Sequence, residues 1–413
     1  MKILIVNTSE RAGGAAVAAG RLVEALCKHG VNAKMLVRDK QTGSACVVAH
    51  PKQFCLRCAF LWERLVIWIH LHLHRKRLFE IDIANCGADI TQLPEFQEAD
   101  VIHLHWVNQG MLSLRQIRKI LDFGKPVVWT MHDIWPATAI CHLTLDCRQF
   151  ETSCGESCRF PNRLSHQVWR RKQQLLQGHH ITFVACSEWL ASEARRSALL
   201  KDQTIVSIPN PIDTNIYRPG DQRMARRALG LPEKSKIILF VAQRVTNPYK
   251  GMDYLIRACR SLPDDTTIAI LGGHADELVD RLPLRSFPLG YINDEQRIVQ
   301  VYQAADVFVL PSLSENLPNT IMEAMACGVP CIGFRVGGIP EEIDHLKTGY
   351  VAAYRDAEDL ARGLRWVLEE ADHEQLSRAC LHKVAACYSQ QSVAEKYIAL
   401  YHSQKHLSRS IEN

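Results

Sequence analysis

Short unbroken runs of apolar residues alternate with longer stretches at helical spacing, almost from end to end of the chain. Strands buried on both faces read as continuous apolar runs, so this rhythm predicts parallel sheets covered by helices. In the first half the runs predict strands at 3–6, 33–37, 101–104, 127–131, 181–185 and 205–208, with helices over 15–29, 112–123, 165–177 and 188–199. Pro209-Asn210-Pro211-Ile212-Asp213 and Arg218-Pro219-Gly220 interrupt the rhythm and mark a linker. A second series follows, with strands at 237–241, 267–271, 287–289, 306–310 and 331–334 and helices from Ala357 onward. The expected architecture is α/β: two doubly wound, Rossmann-like domains, 1–209 and 210–389, whose sheets present their carboxyl ends to one interdomain cleft.

Length and composition agree with that division. A chain of 413 residues is too long for one ordinary core. The hydrophobic content of 47% and charged content of 23% are those of a soluble globular protein. The net charge of +5 suits an anionic substrate or membrane surface, and no basic stripe interleaved with aromatics points to nucleic acid. The opening Met1-Lys2-Ile3-Leu4-Ile5-Val6-Asn7 has too short an apolar run for a signal peptide, and no apolar run reaches bilayer length. Fifteen cysteines without a secretion signal should be reduced thiols, so a cytoplasmic location is expected.

The most informative chemistry is the pair Glu315 and Glu323, which lies between two apolar runs. The run 306–311 reads as a strand and 329–334 as another, so the helix between them should begin near Asn319 and end at Gly328. A ligand at that strand's carboxyl end meets a carboxylate, a helix N-terminus at Asn319 and Thr320, and a second carboxylate in succession. A nucleotide sugar carries hydroxyls, phosphates and hydroxyls in that order. Arg244 and Lys250 share the loop after the first strand of the second half and together can clamp a diphosphate. In the first half, Gly13 and Gly14 open a helix after strand one, as a phosphate turn or a plain strand-to-helix turn. His132 ends another strand, as a sugar-hydroxyl partner or a satisfied structural histidine.

Paired carboxylates near a sugar also suit glycoside hydrolysis. A nucleoside diphosphate, however, is a good leaving group that needs cations and dipoles more than a proton donor. Arg244, Lys250 and the helix N-terminus supply these, and with no Asp-any-Asp motif the cations take a metal's role. The glycine spacing does not fit a dinucleotide oxidoreductase. An epimerase or phosphorylase on the same fold, and a non-catalytic sugar-binding relative, remain as alternatives.

Assembled, these residues resemble a family 4 glycosyltransferase of the GT-B fold. The resemblance is carried by the stretch from Arg244 through Tyr350, above all Ala304-Ala305-Asp306-Val307-Phe308-Val309-Leu310-Pro311-Ser312, the two glutamates, and Gly337-Gly338-Ile339-Pro340-Glu341. His103-Leu104-His105-Trp106 and Trp129-Thr130-Met131-His132-Asp133-Ile134-Trp135 resemble the subset that builds bacterial exopolysaccharide, capsule, lipopolysaccharide O-antigen and colanic acid. The resemblance implies that Arg244 and Lys250 hold the donor diphosphate, Glu323 the ribose and Glu315 the donor sugar. Asn316 and Leu317 would line that pocket, Gly14 would approach the phosphates, and His132 would sit beside the transferred sugar. It further implies retention of anomeric configuration without a cofactor or catalytic metal, a hexose-type donor and a lipid-linked glycan acceptor. It also implies a last helix, about 390–405, that returns to the first domain.

Two features stand outside this reading. Cys141, Cys147, Cys154 and Cys158 cluster in a polar stretch, as a four-thiolate structural zinc site or as reduced thiols in a loop. Phe60-Leu61-Trp62-Glu63-Arg64-Leu65-Val66-Ile67-Trp68-Ile69, followed by a histidine-laced run and Arg75-Lys76-Arg77, suits a core helix or an interfacial helix on an anionic membrane.

Overall fold

The computed structural model describes residues 1–75, 77–155, 158, 160 and 162–411, with side chains for all of these except 162 and 406–411. Lys76 of the basic run and Glu156 and Ser157 of the cysteine stretch lie outside the described residues. The chain divides into two compact units, Met1–Pro211 with Val393–Asn413, and Ile212–Ser392.

The first unit is built on β1 (Lys2–Val6), β2 (Asn32–Val37), β3 (Val47–Ala49), β4 (Val101–Leu104), β5 (Val127–Met131), β6 (Thr182–Ala185) and β7 (Thr204–Ser207). All pair in parallel, in the order β3-β2-β1-β4-β5-β6-β7. Side chains alternate across the pleat, so Leu4 and Val6 enter one core while Ile3 and Ile5 enter the other. The second core is completed by Val393, Tyr397 and Tyr401 of the last helix, Gln390–Ile411. Tyr401 Oη meets His103 Nδ1 at 2.7 Å and Tyr397 Oη meets Thr130 Oγ1 at 2.9 Å, so buried polar groups of the sheet find their partners on that helix.

The second unit carries β8 (Lys236–Arg244), β9 (Thr266–Gly273), β10 (Arg285–Gly290), β11 (Val307–Leu310), β12 (Cys331–Phe334) and β13 (Gly349–Ala352), parallel in the order β10-β9-β8-β11-β12-β13. Each sheet reverses its winding at its centre, between β1 and β4 and between β8 and β11. The loops leaving adjacent strands part there and open a crevice at the carboxyl ends.

Differences from the sequence-based expectation have local causes. The strand expected from Asp306 begins at Val307, because the Asp306 carboxylate accepts from the Ile237 amide at 2.6 Å and from Arg226 at 2.7 Å. The helix expected from Leu112 begins at Leu114, since Ser113 caps it in a reciprocal box with Gln116. The edge strands β3 and β13 lie outside the apolar runs from which strands were expected.

Candidate functional site

In the second unit the sequence between β8 and β11 determines how the chemistry converges. Arg244 is the last paired residue of β8, opposite Gly273, rather than a loop residue; a register shift between Val241 and Arg244 carries the strand on past the expected end. Its exposed guanidinium leans on Thr246 Oγ1 at 3.2 Å. Lys250 follows in the short turn Pro248–Lys250, capped by Asn247. At Gly251, φ is +71° and a Cβ would collide with the Pro311 carbonyl oxygen, so only glycine lets this loop press against the end of β11. The Leu313 amide donates to the Tyr249 carbonyl at 2.8 Å and stitches the two loops together.

That stitching brings Lys250 Nζ to 2.5 Å from Glu315 Oε1, with the lysine side chain 29% exposed and the glutamate 13%. From the far side, the turn after β12 supports the same backbone. Gly337 sits at φ +58°, where a Cβ would strike the Glu315 carbonyl oxygen, and the Gly338 amide donates to the Asn316 carbonyl at 2.9 Å. Leu317 is buried, and the helix Asn319–Ala326 then starts with no side chain capping its N-terminus. Its positive end is a ready anion site, with Asn319 and Thr320 in the first turn. One turn on, the buried Glu323 accepts a hydrogen bond from Tyr302 Oη at 2.8 Å. The second unit thus gathers Lys250, Glu315, Asn316, Leu317, Asn319 and Thr320 along one loop-to-helix path, with Arg244 at the neighbouring strand end.

In the first unit, Gly13 (φ +89°) precedes the helix Gly14–Lys28, with open space where its Cβ would stand and no side-chain cap. His132, half-buried just past β5, has both ring nitrogens engaged: Nε2 meets His105 Nδ1 at 2.9 Å and Nδ1 meets Cys186 Sγ at 3.7 Å. Burial pushes its pKa down to about 4 against the opposing pull of Asp133, so the imidazole is neutral at physiological pH.

Sequence reasoning missed the support behind these groups. Asp133 accepts from Trp106 Nε1 at 3.0 Å and from His142 Nδ1 at 2.7 Å, while the other nitrogen of His142 reaches Asp82 Oδ2 at 2.6 Å. Burial alone would depress His142, but the two carboxylates raise its pKa to about 10 and hold it as an imidazolium. Tyr302 was missed as well, because a partner 21 positions upstream leaves no local pattern.

The four cysteines of the polar stretch come together: the Cys141 thiol is pushed up by its hydrogen bond to Cys158, by burial and by Cys154 and Cys147. Cys158 Sγ donates to Ser165 Oγ at 3.4 Å, and Cys154 is buried in the core, where burial pushes its pKa up to about 12. Among the described residues no group of three or more His, Cys, Asp or Glu is arranged to hold a metal ion.

Known proteins match along most of this length. The family model for Glycosyltransferase Family 4 covers residues 12–216 and that for Glycosyl transferases group 1 covers residues 221–380. A D-inositol 3-phosphate glycosyltransferase of Mycobacterium sp. (strain JLS) is 30% identical over 329 residues, 76% of this chain and 68% of the relative. An N-acetyl-alpha-D-glucosaminyl L-malate synthase of Bacillus anthracis is 25% identical over 78% of this chain and 79% of its own. In other D-inositol 3-phosphate glycosyltransferases the chain spans less of the relative, 64% in Corynebacterium aurimucosum and 42% in Catenulispora acidiphila. The HepE protein of Anabaena, solved in complex with UDP-glucose, superposes with a TM-score of 0.65 at 16% identity, over 98% of this chain and all of that one. Its fold is therefore GT-B, and the chain belongs to family 4 of the glycosyltransferases. The relatives' names specify inositol phosphate and malate, whereas the first-half motifs resembled exopolysaccharide enzymes.

Proposed function

We propose that the protein is a retaining hexosyltransferase that moves a sugar from a nucleotide diphosphate to a lipid-linked surface glycan on the cytoplasmic side of the membrane. The observation that carries this reading is the path Lys250–Glu315–Asn319–Glu323, in which cation, carboxylate, helix N-terminus and a second carboxylate follow one another. Lys250 has three N–H donors and can keep Glu315 while giving another to a phosphate oxygen. Arg244 and the uncapped helix end take the rest of the diphosphate charge as it develops. Glu323 takes the ribose hydroxyls, Glu315 those of the sugar, and Asn316 and Leu317 line the pocket. Gly13 and Gly14 are assigned to the phosphates and the neutral His132 to the transferred sugar. The bond from anomeric carbon to phosphate oxygen breaks, the bond to the acceptor oxygen forms on the same face, and the acceptor proton passes to the departing phosphate oxygen. No step uses a metal ion or a carboxylate nucleophile.

The names of the relatives favour a second reading of the acceptor alone, a small polyol or hydroxy acid in place of a glycan. Thermal melting with UDP-glucose and GDP-mannose, followed by release of nucleotide with and without candidate acceptors, tests both. A nucleotide sugar at saturation should raise the melting point of the wild type by mass action and leave Lys250→Ala and Glu323→Ala unmoved. Equal shifts and near-native turnover in both variants would overturn the site. Turnover with myo-inositol phosphate or malate but not with a prenyl-linked glycan would select the second acceptor.

A further inference from the structure

Two histidines at alternate positions, His103 and His105, fall on one face of the chain where β4 ends. Burying imidazoles is costly unless their nitrogens find partners. Those of His103 do: Nε2 meets Thr130 Oγ1 at 2.8 Å and Nδ1 meets Tyr401 Oη at 2.7 Å. The fixed ring of His103 backs that of His105, with centroids 4.3 Å apart. The main chain of His105 is pinned as well. Its amide donates to the Val6 carbonyl at 3.0 Å, and its carbonyl accepts from Trp129 Nε1 at 3.0 Å. With 3% of its surface exposed, His105 acts on a substrate only through a neighbour.

That neighbour is His132, whose Nε2 lies 2.9 Å from His105 Nδ1. Among the described residues the other nitrogen of His105, the buried Nε2, has no hydrogen-bond partner. Burial, then His103 and His132, push the His105 pKa well below its ordinary value. Both rings are therefore neutral, each carries one N–H, and one of them donates across the contact. If His132 donated, His105 would keep its proton on Nε2, as a buried N–H with no acceptor. If His105 donates, only a lone pair goes unmatched, which is the less costly omission. The proton of His132 then sits on Nδ1. That nitrogen faces Cys186 Sγ at 3.7 Å, and the thiol itself donates to Asn210 Oδ1 at 3.1 Å, so the sulfur is the receiving partner. Sulfur is a weak acceptor that a hydroxyl oxygen readily replaces.

We infer that His105 is a positioning residue for transfer: by donating from Nδ1 to Nε2 of His132 it holds that ring as the Nδ1–H tautomer, whose proton is offered to a hydroxyl of the transferred sugar. The inference rests on the placement of His132 at that sugar. The two hydrogen bonds run in one direction, so each polarises and strengthens the other.

Nitrogen-15 NMR of the histidine-labelled full chain reads the tautomer without turnover, with His132→Gln to assign the His132 signals. The wild type should carry the His132 proton on Nδ1; a proton on Nε2 overturns the inference, whatever any variant does. Kinetics then read the consequence, as nucleotide release from UDP-glucose or GDP-mannose, whichever the wild type turns over. His105→Phe keeps a ring against His103 and removes the donor. It should lower kcat about tenfold, the worth of one hydrogen bond, with the donor KM unchanged because Lys250, Glu315 and Glu323 belong to the other unit. His105→Asn puts an amide N–H near the place of Nδ1 and should restore most of that loss, although the smaller side chain packs worse. Native kcat in His105→Phe, or a loss in His105→Asn as deep as in His105→Phe, overturns the role of His105. His132→Ala separates the two levels. A loss there beside native kcat in His105→Phe strikes this inference alone, whereas native kcat in His132→Ala strikes the placement of His132 at the sugar and the role of His105 with it.

Discussion

Tyr302 holds Glu323 from beneath: its fully buried hydroxyl donates to Glu323 Oε2 at 2.8 Å, and burial, then the carboxylate, hold the phenol pKa far above its ordinary range. The phenol therefore stays a donor at every physiological pH. One carboxylate oxygen is fixed, which sets the direction in which the other points. Tyr302→Phe leaves the ring's packing intact and frees the carboxylate to rotate. Affinity for UDP-glucose by calorimetry should fall about five- to tenfold, near the ~1 kcal/mol worth of one hydrogen bond, with a stability loss of about 1 kcal/mol. Unchanged affinity would separate Tyr302 from the donor site.

Gly337 shapes the other carboxylate. At φ +58° with its missing Cβ against the Glu315 carbonyl, alanine meets both backbone strain and a backbone clash that no side-chain rotation relieves. Gly337→Ala should shift Glu315 and Lys250 together, lower the melting point and cost at least about tenfold in transfer. Gly124→Ala, also at positive φ but with open space, should show the strain alone, with a smaller melting shift and native transfer.

Much of this framework is readable along the chain because its strands are buried on both faces, so Val101–Leu104 and Val127–Met131 stand out as unbroken apolar runs. The Glu315–Glu323 segment is readable for a related reason: strand, loop and helix follow one another within one short stretch, and local order dictates local geometry. What sequence hides is tertiary partnership. Tyr302 lies on the helix before β11, and Asp82 reaches His142 across 60 positions, so no periodicity links them. Cysteine spacing left two readings open for the same reason, since the burial of Cys154 in the core and the partners of Cys158 depend on the packing of residues distant in sequence. The Gln53–His70 helix was ambiguous because its two faces are both rich in apolar residues. Only the fold decides that Glu63 and Arg64 turn inward.

Glu342 is fully buried, and among the described residues neither carboxyl oxygen has a hydrogen-bond partner. Burial, then the nearby Glu315 carboxylate, push its pKa well above the usual carboxylate range. A raised folded pKa means that stability is highest below the unfolded value, about 4.3, and falls as pH rises toward the folded one. Glu342→Met replaces the acid by an apolar side chain of similar length. Denaturant unfolding at neutral pH should show a gain of about 1–3 kcal/mol that shrinks toward pH ~4. A gain independent of pH would mean that Glu342 is already neutralised by a partner.

His142 makes the opposite bet on charge. Set between Asp133 and Asp82, its imidazolium joins the stretch after β5 to the segment carrying Asp82, which Arg64 grips from the other side. With the folded pKa raised to about 10, its stabilisation is complete below the unfolded histidine value of about 6.5 and is lost as pH climbs through 10. His142→Gln leaves a buried carboxylate short of its counter-charge and should cost about 3 kcal/mol near pH 6, with the gap to wild type narrowing steadily toward pH ~10. The same variant loosens Asp133, one residue from His132 and otherwise held by Trp106 and the Trp135 amide, so turnover should fall with nucleotide affinity unchanged, because Lys250, Glu315 and Glu323 belong to the other unit. Equal losses at both ends of that pH range would show that His142 is held neutral. An affinity loss for UDP-glucose would show that His142 with Asp133 and Asp82 serves the donor instead of the acceptor side.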